Sequence, residues 1–84
     1  MSSLFYKEVI KIIYYLNSNI RYLRKKYNYS LQDLATKLDL KLSTLKNLEN
    51  GQSGTSLQVV ILLRDIFKIS IDNLIFKDLS KERS

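Results

Sequence analysis

The sequence predicts an all-α domain, and three observations carry that expectation. The chain has no proline and only two glycines, Gly51 and Gly54, while Leu, Ile, Lys and Asn are abundant. Apolar residues return every three or four positions along most of its length, the spacing of a helix with one buried face. Between Tyr29 and Gly51 the same period describes two short helices with only Asp39, Leu40 and Lys41 between them. Two helices joined by so short a turn cross steeply, in helix-turn-helix geometry.

Residues 3–16, SLFYKEVIKIIYYL, open the chain. Phe5, Val9, Ile12 or Ile13, Leu16, Ile20, Leu23 and Tyr27 form an apolar stripe, so one helix can run unbroken from Ser3 to Tyr27. Asn17-Ser18-Asn19 offers an alternative break, because each of these residues can cap a helix N-terminus. A second stripe of Tyr6, Ile10, Ile13 and Tyr14 widens the apolar face beyond what one small domain covers. Three readings of this extension stay open. It folds back on the domain's own core, it forms a dimer contact through Phe5, Tyr6, Val9, Ile10 and Ile13, or it lies on a membrane surface. Lys7, Glu8 and Lys11 interrupt the apolar run, which argues against a secretory signal. No uncharged apolar run is long enough for a transmembrane span.

Asn28 follows this helix and accepts a left-handed C-terminal conformation. Ser30 opens the next helix, to about Leu38, with Asp33 three residues on in a capping-box pattern. The third runs from about Leu42 to Glu49 and stops at Asn50-Gly51. Inward positions of the pair are Leu31 or Leu34, Ala35, Leu38, Leu40, Leu45 and Leu48; small Ala35 allows close approach. The outer face of the second helix is Ser43, Lys46, Asn47 and Asn50, without a carboxylate. A major groove accepts a short helix with such a face. After the polar loop Gln52-Ser53-Gly54-Thr55, Thr55 and Gln58 form a capping box for a helix from Ser56 to about Phe67. Its expected inward face is Leu57, Val60, Ile61, Leu63 and Phe67. Ser70 caps a last helix, Ile71 to about Phe76, with Leu74 and Ile75 inward. The charged tail from Lys77, KDLSKERS, is expected to fray.

Eighty-four residues make one domain: an N-terminal helical extension at 1–18, a core at 19–76 and a tail at 77–84. The chain has neither cysteine nor histidine, which removes disulfides, thiolate metal sites and the usual general base. No paired-acid arrangement is visible, so an enzyme is not expected, nor a metal, a cofactor or a small-molecule substrate. The net charge is +6. Residues 1–28 concentrate it, with Lys7, Lys11, Arg21, Arg24, Lys25 and Lys26 against Glu8 alone. A basic patch favours a polyanion, nucleic acid first, although a merely soluble basic surface has the same composition.

A set of short motifs then carries a family resemblance. They are Ile20-Arg21, Leu23-Arg24, Ser30, Asp33-Leu34-Ala35, Leu38, Ser43-Thr44-Leu45, Leu48-Glu49-Asn50-Gly51, Ser56-Leu57 and Ser70-Ile71-Asp72-Asn73-Leu74. At this spacing, over residues 19 to 76, the chain resembles the Cro/repressor-type (Xre-like) helix-turn-helix domains of phage and bacterial regulators. The resemblance implies a compact five-helix lambda-repressor-like bundle, its first helix extended or preceded by an extra N-terminal helix. It implies base contacts from Leu42, Ser43, Lys46 and Asn47. Phosphate contacts would come from Arg24, Lys41, Asn50, Gln52 and Ser53, with backbone N–H groups after Ser30. It also implies an ion pair between Arg24 and Glu49. Three positions depart from the pattern. Leu31 stands where many members brace a phosphate with glutamine, Leu42 where a polar reader is common, and Lys41 where Ser or Thr usually caps. Leu42 is then left to press on a thymine methyl, to turn into the core, or to mark a protein-binding surface.

The function these features imply is a cytoplasmic, sequence-specific DNA-binding transcriptional regulator, such as a repressor. It would bind double-stranded DNA as a homodimer on a two-fold symmetric operator, with no effector domain and no membrane partner. The alternative is a protein-interaction module of the same fold, such as an antitoxin or adaptor, which the apolar extension and the departures at Leu31 and Leu42 favour.

Overall fold

A computed structural model describes residues 15–81, and all of their regular elements are helical. The dimer candidates Phe5, Tyr6, Val9, Ile10 and Ile13, and the rest of the extension before residue 15, lie outside the described residues. We number the helices α1 (helical over the described residues 15–26), α2 (Leu31–Leu38), α3 (Leu42–Glu49), α4 (Leu57–Phe67) and α5 (Ile71–Phe76). A short 3₁₀ turn, Leu79–Lys81, follows.

Helix α1 continues through Asn17-Ser18-Asn19, so the alternative break does not occur. Both asparagines face inward and bond to carbonyls far along the chain. Asn17 Nδ2 donates to the Leu48 carbonyl at the end of α3. Asn19 Nδ2 donates to the carbonyls of Leu74 (2.7 Å) and Lys77 (2.6 Å), and its Oδ1 accepts the Leu79 N–H at 3.0 Å. A buried amide with its polar atoms satisfied in this way costs little to bury and fixes register. Leu79 packs against the core, so the tail is anchored as far as this turn instead of fraying from Lys77.

Four helix ends close through a left-handed residue: Asn28 after α1, Asp39 after α2, Gly51 after α3 and Lys68 after α4. In each, the next N–H reaches back to an earlier carbonyl: Tyr29 to Arg24, Leu40 to Ala35, Gln52 to Asn47, Ile69 to Arg64. This is the Schellman closure. Only Gly51 (φ +77°) takes the conformation without a Cβ penalty. The starts are equally local. The Ser30 hydroxyl accepts the Asp33 N–H while Asp33 Oδ2 accepts the Ser30 N–H, both at 3.0 Å. Those bonds, with a smaller contribution from Lys37, hold the Asp33 carboxyl below the ordinary aspartate range. Ser70 caps α5 through the Asn73 N–H.

At α4 the expected register is off by one residue. The cap is Ser56, whose hydroxyl accepts the Val59 N–H, and not Thr55 with Gln58. The inward face is accordingly Val59, Val60, Leu63 and Phe67, while Leu57 (71% exposed) and Ile61 stay on the surface. Tyr27, placed on the inward stripe of α1, is also exposed; its ring lies against Phe67, centroids 5.1 Å apart. The remaining core is as the pattern requires: Leu16, Ile20 and Leu23 of α1, Leu34, Ala35 and Leu38 of α2, Leu45 and Leu48 of α3, and Leu74 of α5. Leu31, Leu40 and Ile75 are half-buried at its margin.

Two stability measurements check this packing. Leu45→Ala removes a fully buried side chain and should cost about 2–5 kcal/mol, enough to unfold much of so small a domain; a variant melting like the parent would place Leu45 outside the core. Asn19→Ala strands three backbone groups and should cost about 1–3 kcal/mol, with faster amide exchange at Leu79; unchanged exchange there would contradict the anchoring of the tail.

Candidate nucleic-acid interface

Helices α2 and α3 pack against each other across the Asp39–Lys41 turn, with Ala35, Leu38, Leu45 and Leu48 buried. Burial of one edge of α3 forces its opposite face outward. Ser43, Lys46, Asn47 and Asn50 are all exposed on that face, and no described carboxylate stands among them. Leu42, at 37% exposure, is not part of the core. Lys41 occupies the N-cap position of α3 and is exposed, without a side-chain capping bond. Gln52 and Ser53 are exposed in the loop after Gly51.

The last turn of α3 is tied to α1. Arg24 Nε donates to Glu49 Oε2 at 2.7 Å and Nη2 to Oε1 at 3.2 Å, a two-pronged contact of the kind a guanidinium makes with a carboxylate. Nη1 donates to the Tyr29 carbonyl at 3.1 Å. The side chains are only 11% and 5% exposed. Arg24 therefore links α1, the turn before α2 and the end of α3, and its remaining N–H hydrogens are all it has for an outside ligand.

Beside this pair lies a shallow open cleft of about 220 Å³, lined by Arg21, Arg24, Leu31, Lys46, Glu49 and Asn50. It brings together three of the residues expected to meet DNA, Arg24, Lys46 and Asn50, with Leu31 half-buried at its edge. Ser43 and Asn47 lie on α3 outside this lining. Arg21 was not among the expected ligands. Its sequence signals are its place in the basic run of residues 1–28, in the Ile20-Arg21 motif, and three residues before Arg24, one helical turn away.

Residues 20–74 match the family model described as helix-turn-helix. The chain belongs to the helix-turn-helix family. It is 37% identical, over 60 residues, to the HTH-type transcriptional regulator AnsR of Bacillus subtilis; the match covers 71% of this chain and 52% of that protein. It is 42% identical, over 48 residues, to TK0539 of Thermococcus kodakarensis, a candidate HTH-type transcriptional regulatory protein; that match covers 57% of this chain and 15% of the relative. The chain thus spans about half of the first relative and a small part of the second. No solved structure gave a significant match. The family match runs from the middle of α1 into α5 and so includes α2, α3 and the Arg24–Glu49 pair. No described helix is long and apolar enough to cross a membrane.

A double-mutant cycle on Arg24→Ala and Glu49→Ala should return a coupling of about 1–3 kcal/mol, above the roughly 0–1 kcal/mol of exposed pairs. Additive losses in thermal or urea unfolding would mean that the contact holds nothing in place.

Proposed function

We propose that the chain is a sequence-specific DNA-binding transcriptional regulator that reads the major groove with α3 as a homodimer on a two-fold symmetric operator. The observation that carries this reading is the outward, carboxylate-free face of α3, clamped at its C-terminal turn by Arg24. Leu42, Ser43, Lys46 and Asn47 face the groove. Asn47 can pair with adenine N6 and N7, and Lys46 can donate to guanine O6 or N7. Leu42, exposed beside them, supplies an apolar surface for a thymine methyl. Lys41, Asn50, Gln52 and Ser53 flank the face and contact phosphates, with Arg24 holding the frame from behind. The half-sites would lie about 34 Å apart, one helical turn. Control then follows from occupancy of the promoter. The names of the two relatives support the regulatory role, and the family match supports the fold that serves it.

A second reading keeps the fold and replaces DNA by a protein partner, as in an antitoxin or adaptor. The exposed Leu57 and Phe76 favour it, because large apolar side chains in water commonly meet another surface.

Selection of bound duplexes from a random library separates the two. The DNA-binding reading expects an enriched, two-fold symmetric site whose advantage over random DNA collapses in the Lys46→Ala, Asn47→Ala double variant. Equal, weak binding to selected and random DNA, untouched by those substitutions, would remove α3 as the reading element.

A further inference from the structure

The cleft between α1 and α3 gathers more positive charge than the described carboxylates pair with. Arg24 and Glu49 on its wall compensate each other. Arg21 and Lys46 line the same cleft, are exposed, and have no ion-pair partner among the described residues. Asn50 adds an amide, and Leu31, the first residue of α2, closes the cleft with an apolar side chain that offers no donor. Resting on the DNA-binding reading, we propose that this cleft seats one phosphate of the DNA backbone between Arg21 and Lys46. Lys46 is then an anchor on the backbone in place of the guanine contact given above, and hydrogen-bond readout of bases falls to Ser43 and Asn47.

Helix geometry supports this division. Successive residues turn by about 100° around the axis. Lys46 therefore lies on the flank of α3 that leads to Glu49 and α1, and Asn47 on the opposite flank, toward Thr44. Ser43 and Asn50 lie between them. A lysine on the α1 flank, facing an arginine across an open cleft, is placed for an anion held between two helices. The ammonium and guanidinium groups neutralise such an anion without any reference to base identity. Arg21 supplies from α1 the charge that the Leu31 side chain lacks.

The test measures affinity of the parent, Arg21→Ala, Arg21→Lys, Lys46→Ala and Asn47→Ala for a selected duplex and a random duplex over a series of KCl concentrations. Arg21→Ala and Lys46→Ala should each weaken both duplexes by the same factor and flatten the log–log salt slope by about 0.9, the value for one phosphate contact. Arg21→Lys should keep the parent slope. Asn47→Ala should keep the slope and lower the ratio of selected to random affinity. Both cationic positions are exposed, and melting curves verify that the variants are folded; Arg21→Gln replaces the alanine variant if that one melts early. An unchanged slope in Arg21→Ala, or a Lys46→Ala variant that loses preference at one base pair while keeping its slope, overturns the phosphate seat and leaves the DNA-binding reading standing. A parent chain that binds neither duplex overturns both.

Discussion

The structure depends on holding a short helix by one edge. An isolated helix of eight residues is not stable in water, where even good helix formers need about 12–15 residues to be marginal. Helix α3 also lacks a side-chain N-cap, because Lys41 stands in that position. Its outer face is given over to exposed polar residues, so Leu45 and Leu48 alone supply its apolar anchorage. The polar ties at its far end complete the hold. Arg24 grips Glu49, and Asn17 donates to the Leu48 carbonyl. Both ties come from α1, so the position of the outer face of α3 is set by a helix that lies behind it.

Helix α1 is therefore the element against which the others are placed. Its apolar residues Leu16, Ile20 and Leu23 fill the core, and its two buried amides reach opposite parts of the chain. Asn17 meets the end of α3, and Asn19 meets the end of α5 and the turn after it. Apolar contacts tolerate sliding by a fraction of a turn; an amide bonded to specific carbonyls does not. A one-residue slip of α1 would leave those carbonyls without donors and bury an unsatisfied amide, at about 1–3 kcal/mol for each lost partner. The amides thus fix the register of a core that aliphatic packing leaves less sharply defined.

Local signals in the sequence were the most legible. Ser30 with Asp33, Ser70, and Asn28 at a left-handed position all identify helix ends through bonds that span a few residues. The outward face of α3 was legible for the same reason, since periodicity alone separates Ser43, Lys46 and Asn47 from Leu45 and Leu48. At α4 the local signal was ambiguous. Thr55 and Ser56 are adjacent cap formers, and the run Val59-Val60-Ile61-Leu62-Leu63 satisfies more than one inward register. Packing against α2 and α5 decides for Ser56 and leaves Leu57 outside. Asn17 and Asn19 left a helix break open as an alternative because their partners lie 31 and 55 to 60 residues away, beyond any local pattern. The cleft was hidden likewise, because only the folded chain brings Arg21 beside Lys46.

The composition of the reading face bears on how many copies of the chain a specific site requires. Specific DNA-binding proteins typically favour their site over random DNA by about 4–10 kcal/mol, and a good bidentate base contact supplies about 1–3 kcal/mol of that. If Lys46 belongs to the backbone, α3 presents one amide capable of bidentate pairing, Asn47, with the shorter Ser43 and the apolar Leu42 beside it. One such bidentate contact, at about 1–3 kcal/mol, falls short of that range. Two faces on one duplex, related by a two-fold axis, bring the sum within it, and phosphate contacts raise affinity without adding to discrimination. The proposed homodimer on a symmetric operator would supply the discrimination that one such small surface lacks.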